Sequence, residues 1–170
     1  MTHWVFAYGS LIWNPGFSFV RSTPARLDGY HRALCVKSHK YRGTPECLGL
    51  VFGLDRSGHC EGVAYEVEEA LWPQTYTYLT ARELITHVYH EAYLPVQLKP
   101  GNRTVEALTY IVDPAHEQYA GGYGLEEVLT FVRQGHGIGG SCMDYVRNTA
   151  RHLAEMGISD PELDLVVAAL

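Results

Sequence analysis

Apolar positions along this chain come first as short runs and later as helical stripes. Trp4 to Tyr8, Arg32 to Ser38, Leu48 to Leu54, Cys60 to Val67, Val88 to Leu98 and Thr104 to Val112 are rich in apolar, aromatic and β-branched residues. Such runs predict strands. Turn sequences separate several of them: Arg42-Gly43-Thr44-Pro45, Arg56-Ser57-Gly58 and Lys99-Pro100-Gly101-Asn102. One helix is predicted among the strands, over Pro73 to Leu84, with the proline at its first position, where a missing N–H costs nothing. Three more close the chain. Leu125 to Gln134 is the first. Ser141 to Met156 carries Met143, Val146, Ala150 and Leu153 on one face, with Gly157 just beyond its end. The last opens on Asp160 as cap and Pro161. Strands first and helices last predict an α+β fold, a closed or strongly bent sheet with helices on its outside. No repeat or linker interrupts residues 1–170, so one domain is expected.

Composition narrows the function classes. Of 170 residues, 46% are hydrophobic and 19% charged, as in an ordinary globular protein. The net charge of −6 disfavours nucleic acid or an anionic membrane surface as partner. No run of about 18 apolar residues suggests a membrane span, and no basic-then-apolar leader is seen. The four cysteines, Cys35, Cys47, Cys60 and Cys142, show no paired spacing. Reduced thiols and a cytoplasmic location are the expectation.

Two places carry candidate chemistry. On the helix at Pro73 to Leu84, the stripe Trp72, Tyr76, Leu79 continues to Glu83. A carboxylate on that face is desolvated, which raises its pKa and strengthens it as a base. Spacing alone equally allows the helix end to fray, or Glu83 to pair with Arg82. The second place is the end of the first strand, where Tyr8 runs into Gly9-Ser10-Leu11. Backbone N–H groups released from a sheet at a glycine can hold a carbonyl oxygen that gains charge. A tight turn with a locally bonded serine fits the same residues. His87, His90 and His136 offer no third ligand at a fixed spacing, so no metal is expected. The glycines at 121–124 and 135–140 lack the following Lys-Ser/Thr of a phosphate loop. Ser10 has no neighbouring histidine and no G-x-S-x-G context.

Read together, these pieces resemble the ChaC family of glutathione-specific γ-glutamylcyclotransferases. VFAYGSLIWNPGF looks like the family's first strand and its substrate cradle. YRGTP at Tyr41 to Pro45, GHCEGVAYEV and GHGIGGSCMDYVRNTARHL are similar to later family segments. YLTARE resembles the segment with the catalytic glutamate, which maps onto Glu83, and ALTYIVDPAHEQYAGG the one ending in an active-site tyrosine, which maps onto Tyr119. The chain departs from the pattern at Leu84-Ile85-Thr86-His87, at Gln74 and at Ala120-Gly121-Gly122.

The resemblance implies a small β-barrel-like mixed sheet with surrounding helices. It also implies a reaction without a cofactor, in which the α-amine of a γ-glutamyl group attacks its own γ-carbonyl. Glutathione would give 5-oxoproline and Cys-Gly. The implied roles are Glu83 as general acid and base, and Tyr8, Gly9, Ser10, Leu11, Tyr119 and Arg42 as substrate-binding residues. The implied partner is a small molecule, glutathione or another γ-glutamyl compound. The competing readings are a cyclotransferase for other γ-glutamyl amides and a non-catalytic binding or regulatory protein for γ-glutamyl metabolites.

Overall fold

The computed structural model describes all residues from Met1 to Leu170. Its chain falls into two compact units, one made of Met1–Arg32 and Leu54–Asp113, the other of Ala33–Gly53 and Pro114–Leu170. The α+β expectation holds: five strands close into a barrel, and four α-helices accompany them. No helix is long and apolar enough to cross a membrane.

The barrel strands are β1 (Thr2–Ala7), β2 (Arg21–Ser38), β3 (Gly49–Glu68), β4 (Tyr89–Leu98) and β5 (Thr104–Val112), in the spatial order β1-β3-β2-β4-β5. β1 runs antiparallel to β3, with Phe6 opposite Ala64, and parallel to β5 at Val5 and Leu108, so the sheet is mixed. Closure leaves no exposed strand edge. In the first unit Phe6, Val5, Leu27, Val63, Val67, Leu79 and Leu108 are almost fully buried. Helix α1 (Trp72–Glu83) also belongs to this unit.

In the second unit, α2 (Leu125–Gln134), α3 (Cys142–Glu155) and α4 (Pro161–Ala169) pack on one another. The Ser141 hydroxyl caps α3 by accepting from the Asp144 N–H at 3.3 Å, and the Asp160 carboxylate caps α4 by accepting from the Leu163 N–H at 3.1 Å. The glycine-rich segment before α3 forms a small hairpin of β6 (His136–Gly137) and β7 (Gly140–Ser141).

Two boundaries differ markedly from the sequence pattern. Arg56-Ser57-Gly58 does not separate two strands; β3 runs straight through it. Ser57 (φ 97°) and Gly58 (φ 65°) are both left-handed, a local kink that lets the ladder bend without ending. β2 begins at Arg21, eleven residues before the predicted run. Pro24, Gly29 and several charges mask its alternation, although Ala25 and Leu27 are buried. His87 lies before β4 with φ 58°, a turn residue outside the strand, as the run beginning at Val88 predicts.

Gly62 marks a tight approach between β3 and β1. A Cβ there would lie 2.3 Å from the Ala7 carbonyl oxygen and 2.9 Å from the Phe6 ring. Neither a backbone oxygen nor a ring buried in the core can yield cheaply. Gly62→Ala is therefore expected to lower stability by about 1–3 kcal/mol, the usual cost of overpacking. Denaturant melts on wild type and variant check this, and an unchanged midpoint would contradict the close packing of β1 on β3.

Candidate active site

The cradle forms where β1 runs out. Tyr8 leaves the ladder, and Ser10–Ile12 make a single 3-10 turn in which the Ile12 N–H donates to the Gly9 carbonyl at 2.9 Å. The first N–H groups of a helical turn have no partner within it. Here the N–H groups of Gly9, Ser10 and Leu11 donate to no group of the protein. Gly9 has φ −132° and ψ −132°, and a Cβ built on it meets nothing within 4 Å. The protein therefore leaves the space over Gly9 open.

Side chains of the same unit pin this loop. Tyr65 on β3 places its hydroxyl 3.0 Å from the Leu11 carbonyl and 2.7 Å from that of Ile12. Burial pushes its pKa up to about 12, so it stays a neutral donor. Arg32 on β2 donates through Nε to the Tyr8 carbonyl at 2.5 Å. Gly16 (φ +74°) closes the loop against Tyr78, where a Cβ would lie 2.0 Å from the phenol oxygen.

Arg82 joins the loop to α1. Its Nη2 donates to the Ser10 hydroxyl at 2.7 Å, and its Nη1 donates to the Asn14 carbonyl at 2.9 Å and to the Tyr78 hydroxyl at 2.8 Å. Its Nε lies 3.4 Å from Glu83 Oε1. The helix does not fray before Glu83, which is its last residue. The carboxylate pairs with Arg82 and is also shielded, with 18% of its side chain exposed. Burial raises its pKa, and the charge of Arg82 opposes that rise only in part. The stripe that led to Glu83 is partly as expected. Leu79 and Thr75 are buried, whereas Trp72 stacks on His3 and Tyr76 donates to Glu91 at 2.8 Å.

The face of α1 that ends in Glu83 is more polar than its sequence suggests. The hydroxyl oxygens of Thr75, Thr80 and Tyr110 are buried, and that of Thr80 lies within reach of the Tyr110 phenol. Tyr110 lies directly opposite Glu91 on the β4–β5 ladder. Burial, and after it the charges of Glu83 and Glu91, hold the Tyr110 phenol protonated.

Tyr8, Gly9, Ser10, Leu11 and Glu83 thus fall in the first unit, brought together through Arg82. Arg42 and Tyr119 belong to the second. Arg42 donates through Nη1 to the Ser141 carbonyl at 3.2 Å and lies 5.0 Å over the Tyr145 ring. Tyr119 bridges to Val36, and its ring packs so closely on Gly121 that a Cβ there would overlap it. No three His, Cys, Asp or Glu side chains cluster to hold a metal. His90 instead faces Asp113 at 3.1 Å. The sequence offers Arg82 only as a partner for Glu83, a pair the structure shows, and carries no signal for Arg32 or Tyr65.

The family model for ChaC-like protein matches residues 3–170. The chain belongs to the ChaC family. The glutathione-specific γ-glutamylcyclotransferase of Escherichia coli K12 is 34% identical over 97% of the chain and 71% of its own length. Human glutathione-specific γ-glutamylcyclotransferase 1 is 29% identical over 98% of the chain and 78% of its own length. The crystal structure of the yeast γ-glutamylcyclotransferase specific to glutathione superposes with a TM-score of 0.89 at 22% identity, covering 98% of this ChaC chain and 94% of the yeast one. That match shows a shared fold, in agreement with the barrel-like fold that the resemblance implied.

A raised carboxyl pKa has a definite consequence for stability. The folded state prefers Glu83 protonated, so ionisation costs stability as pH rises through its folded pKa. Glu83→Gln removes that cost, while Arg82 keeps Ser10, Asn14 and Tyr78 as acceptors. The variant is expected to melt above wild type at neutral pH. The two should converge below the ordinary glutamate range, where wild-type Glu83 is protonated in both states. Thermal melts from pH 3 to 8 check this, and a variant less stable at pH 7 would contradict the net desolvation of Glu83.

Proposed function

We propose that this ChaC protein is a γ-glutamylcyclotransferase that cleaves glutathione to 5-oxoproline and Cys-Gly, with Glu83 as general acid and base. Family membership and the activities named for its relatives support the reaction class. The observation that carries the assignment of roles is a shielded carboxylate tied through one arginine to a loop with three unused N–H groups. A protein that only bound its ligand would gain nothing from desolvating a carboxylate.

The chemistry follows from those groups. The substrate's α-ammonium must lose a proton before its nitrogen can attack the γ-carbonyl, and Glu83 is the acceptor. Attack closes a five-membered ring and turns the carbonyl into an oxyanion, which the N–H groups of Gly9, Ser10 and Leu11 stabilise. Glu83 gives the proton it accepted to the γ-amide nitrogen as the C–N bond breaks, then takes the second proton from the ring nitrogen and returns it to the freed amine. The attacking ammonium loses two protons and Cys-Gly leaves with two gained, so none is consumed overall. Because the attack is intramolecular, the cradle's main task is to hold the glutamyl chain folded. The roles for Tyr8 and Tyr119, contacts to the glutamyl unit, and for Arg42, a pair with a substrate carboxylate, remain part of the proposal. So do one ChaC domain over 1–170 and a cytoplasmic location, which suits four free cysteines.

Two substitutions test this in a 5-oxoproline assay with glutathione. Glu83→Gln is expected to lower kcat by about 10²–10⁴-fold, the usual contribution of a general acid–base group, with KM little changed. Wild-type turnover by that variant would remove Glu83 from the mechanism. Gly9→Ala should melt like wild type, because its Cβ enters open space, yet turn over glutathione at least about tenfold more slowly. Unaltered kinetics would show that no substrate lies against the Gly9 backbone.

A further inference from the structure

We propose that Arg32 is a positioning residue for the oxyanion site: its guanidinium fixes and polarises the Tyr8–Gly9 peptide so that the Gly9 N–H is presented to the reacting carbonyl. This rests on the cyclotransferase reading above and adds a residue to it.

Arg32 is 5% exposed. Burying a guanidinium is expensive, and an apolar residue of similar volume is often an equal or better core residue. A structural role alone therefore gives little reason for arginine on this strand. Its contacts give a stronger one. Nε donates to the Tyr8 carbonyl at 2.5 Å and Nη2 to the Glu61 carbonyl at 2.6 Å. One rigid fork thus grips the chain leaving β1 and, through Glu61, its ladder partner β3. A lysine has no such planar pair of donors.

The consequence lies in the geometry of a peptide. Within one planar trans unit the C=O and N–H point in opposite directions. Fixing the Tyr8 oxygen against Arg32 therefore fixes the direction of the Gly9 N–H, which donates to no group of the protein. A charged donor on the oxygen also draws electron density from the amide and makes its N–H a stronger donor. The positive charge sits one peptide away from the place where negative charge develops. A dipole held there before the reaction needs no reorganisation during it. Tyr65 and Arg82 hold later parts of the loop, through the carbonyls of Leu11, Ile12 and Asn14 and the Ser10 hydroxyl, so Arg32 has a separate task.

The test compares wild type, Arg32→Lys and Arg32→Ala in the glutathione assay, with melting curves and added methylguanidinium at non-denaturing millimolar concentrations. A folded Arg32→Lys is expected to lose about 10²-fold in kcat, near the loss of one oxyanion donor, with KM within about threefold of wild type. Methylguanidinium should restore part of the Arg32→Ala rate and leave wild type unchanged. Should both variants fail to fold, hydrogen exchange in the wild-type protein decides. The Gly9 amide is expected to exchange freely in the free enzyme and to be protected when 5-oxoproline is bound. Undiminished kcat in folded Arg32→Lys, or a Gly9 amide already protected in the free enzyme, overturns the role of Arg32 alone. Absence of 5-oxoproline from the wild-type reaction overturns the cyclotransferase reading and this proposal with it.

Discussion

Everything proposed for this protein depends on keeping a carboxylate out of water at the end of a helix, beside a loop that offers bare N–H groups. Glu83 is the last residue of α1, and its neighbour Arg82 resolves the conflict that its burial creates. The guanidinium lies close enough to Glu83 to offset part of the desolvation. Its remaining donors are spent on Ser10, Asn14 and Tyr78, so it cannot neutralise the carboxylate completely. The result is a carboxyl group with a raised pKa, held in register with the cradle by the same side chain. A bidentate pair would have produced an inert salt bridge with a depressed pKa.

The barrel supplies the rigidity that this arrangement needs. β1 ends where the cradle begins, and closure of the sheet fixes that end from both sides, through β3 and β5. Gly62 lets β3 approach the Ala7 carbonyl closely, and the Thr109 hydroxyl donates to the Phe6 carbonyl at 3.1 Å from β5. Position is thereby transmitted from the ladder to the loop through backbone atoms, which have little freedom to drift. The buried Tyr110 phenol lies near Glu83, Glu91 and the Thr80 hydroxyl.

Much of this was legible in the sequence. β5 and α2 fall where the periodicity predicts them, and the caps Ser141 and Asp160 start α3 and α4. Glu83 stood out because a carboxylate continued an apolar stripe, and Gly9-Ser10 because a strand ran into them. The failures share a cause. Local punctuation at Ser57-Gly58 and Pro24 reads as an end of structure, yet a closed ladder carries strands through a kink and past a missing donor. The supporting residues were hidden for a different reason. Arg32 is a charged residue heading an apolar run, and nothing in its neighbours reveals that the barrel buries it. Tyr65 is likewise an ordinary strand residue until the register brings it to the loop.

The central claim is that the fold keeps Glu83 desolvated and ready to accept a proton. It is tested most directly by ¹³C NMR titration of the Glu83 side-chain carboxyl in the wild-type protein, assigned by the loss of its signal in Glu83→Gln. The expected midpoint lies clearly above the value of about 4.3 of an ordinary glutamate. A midpoint at or below that value would mean that Arg82 stabilises the ion more than burial opposes it, and the proposed base would be a structural salt bridge.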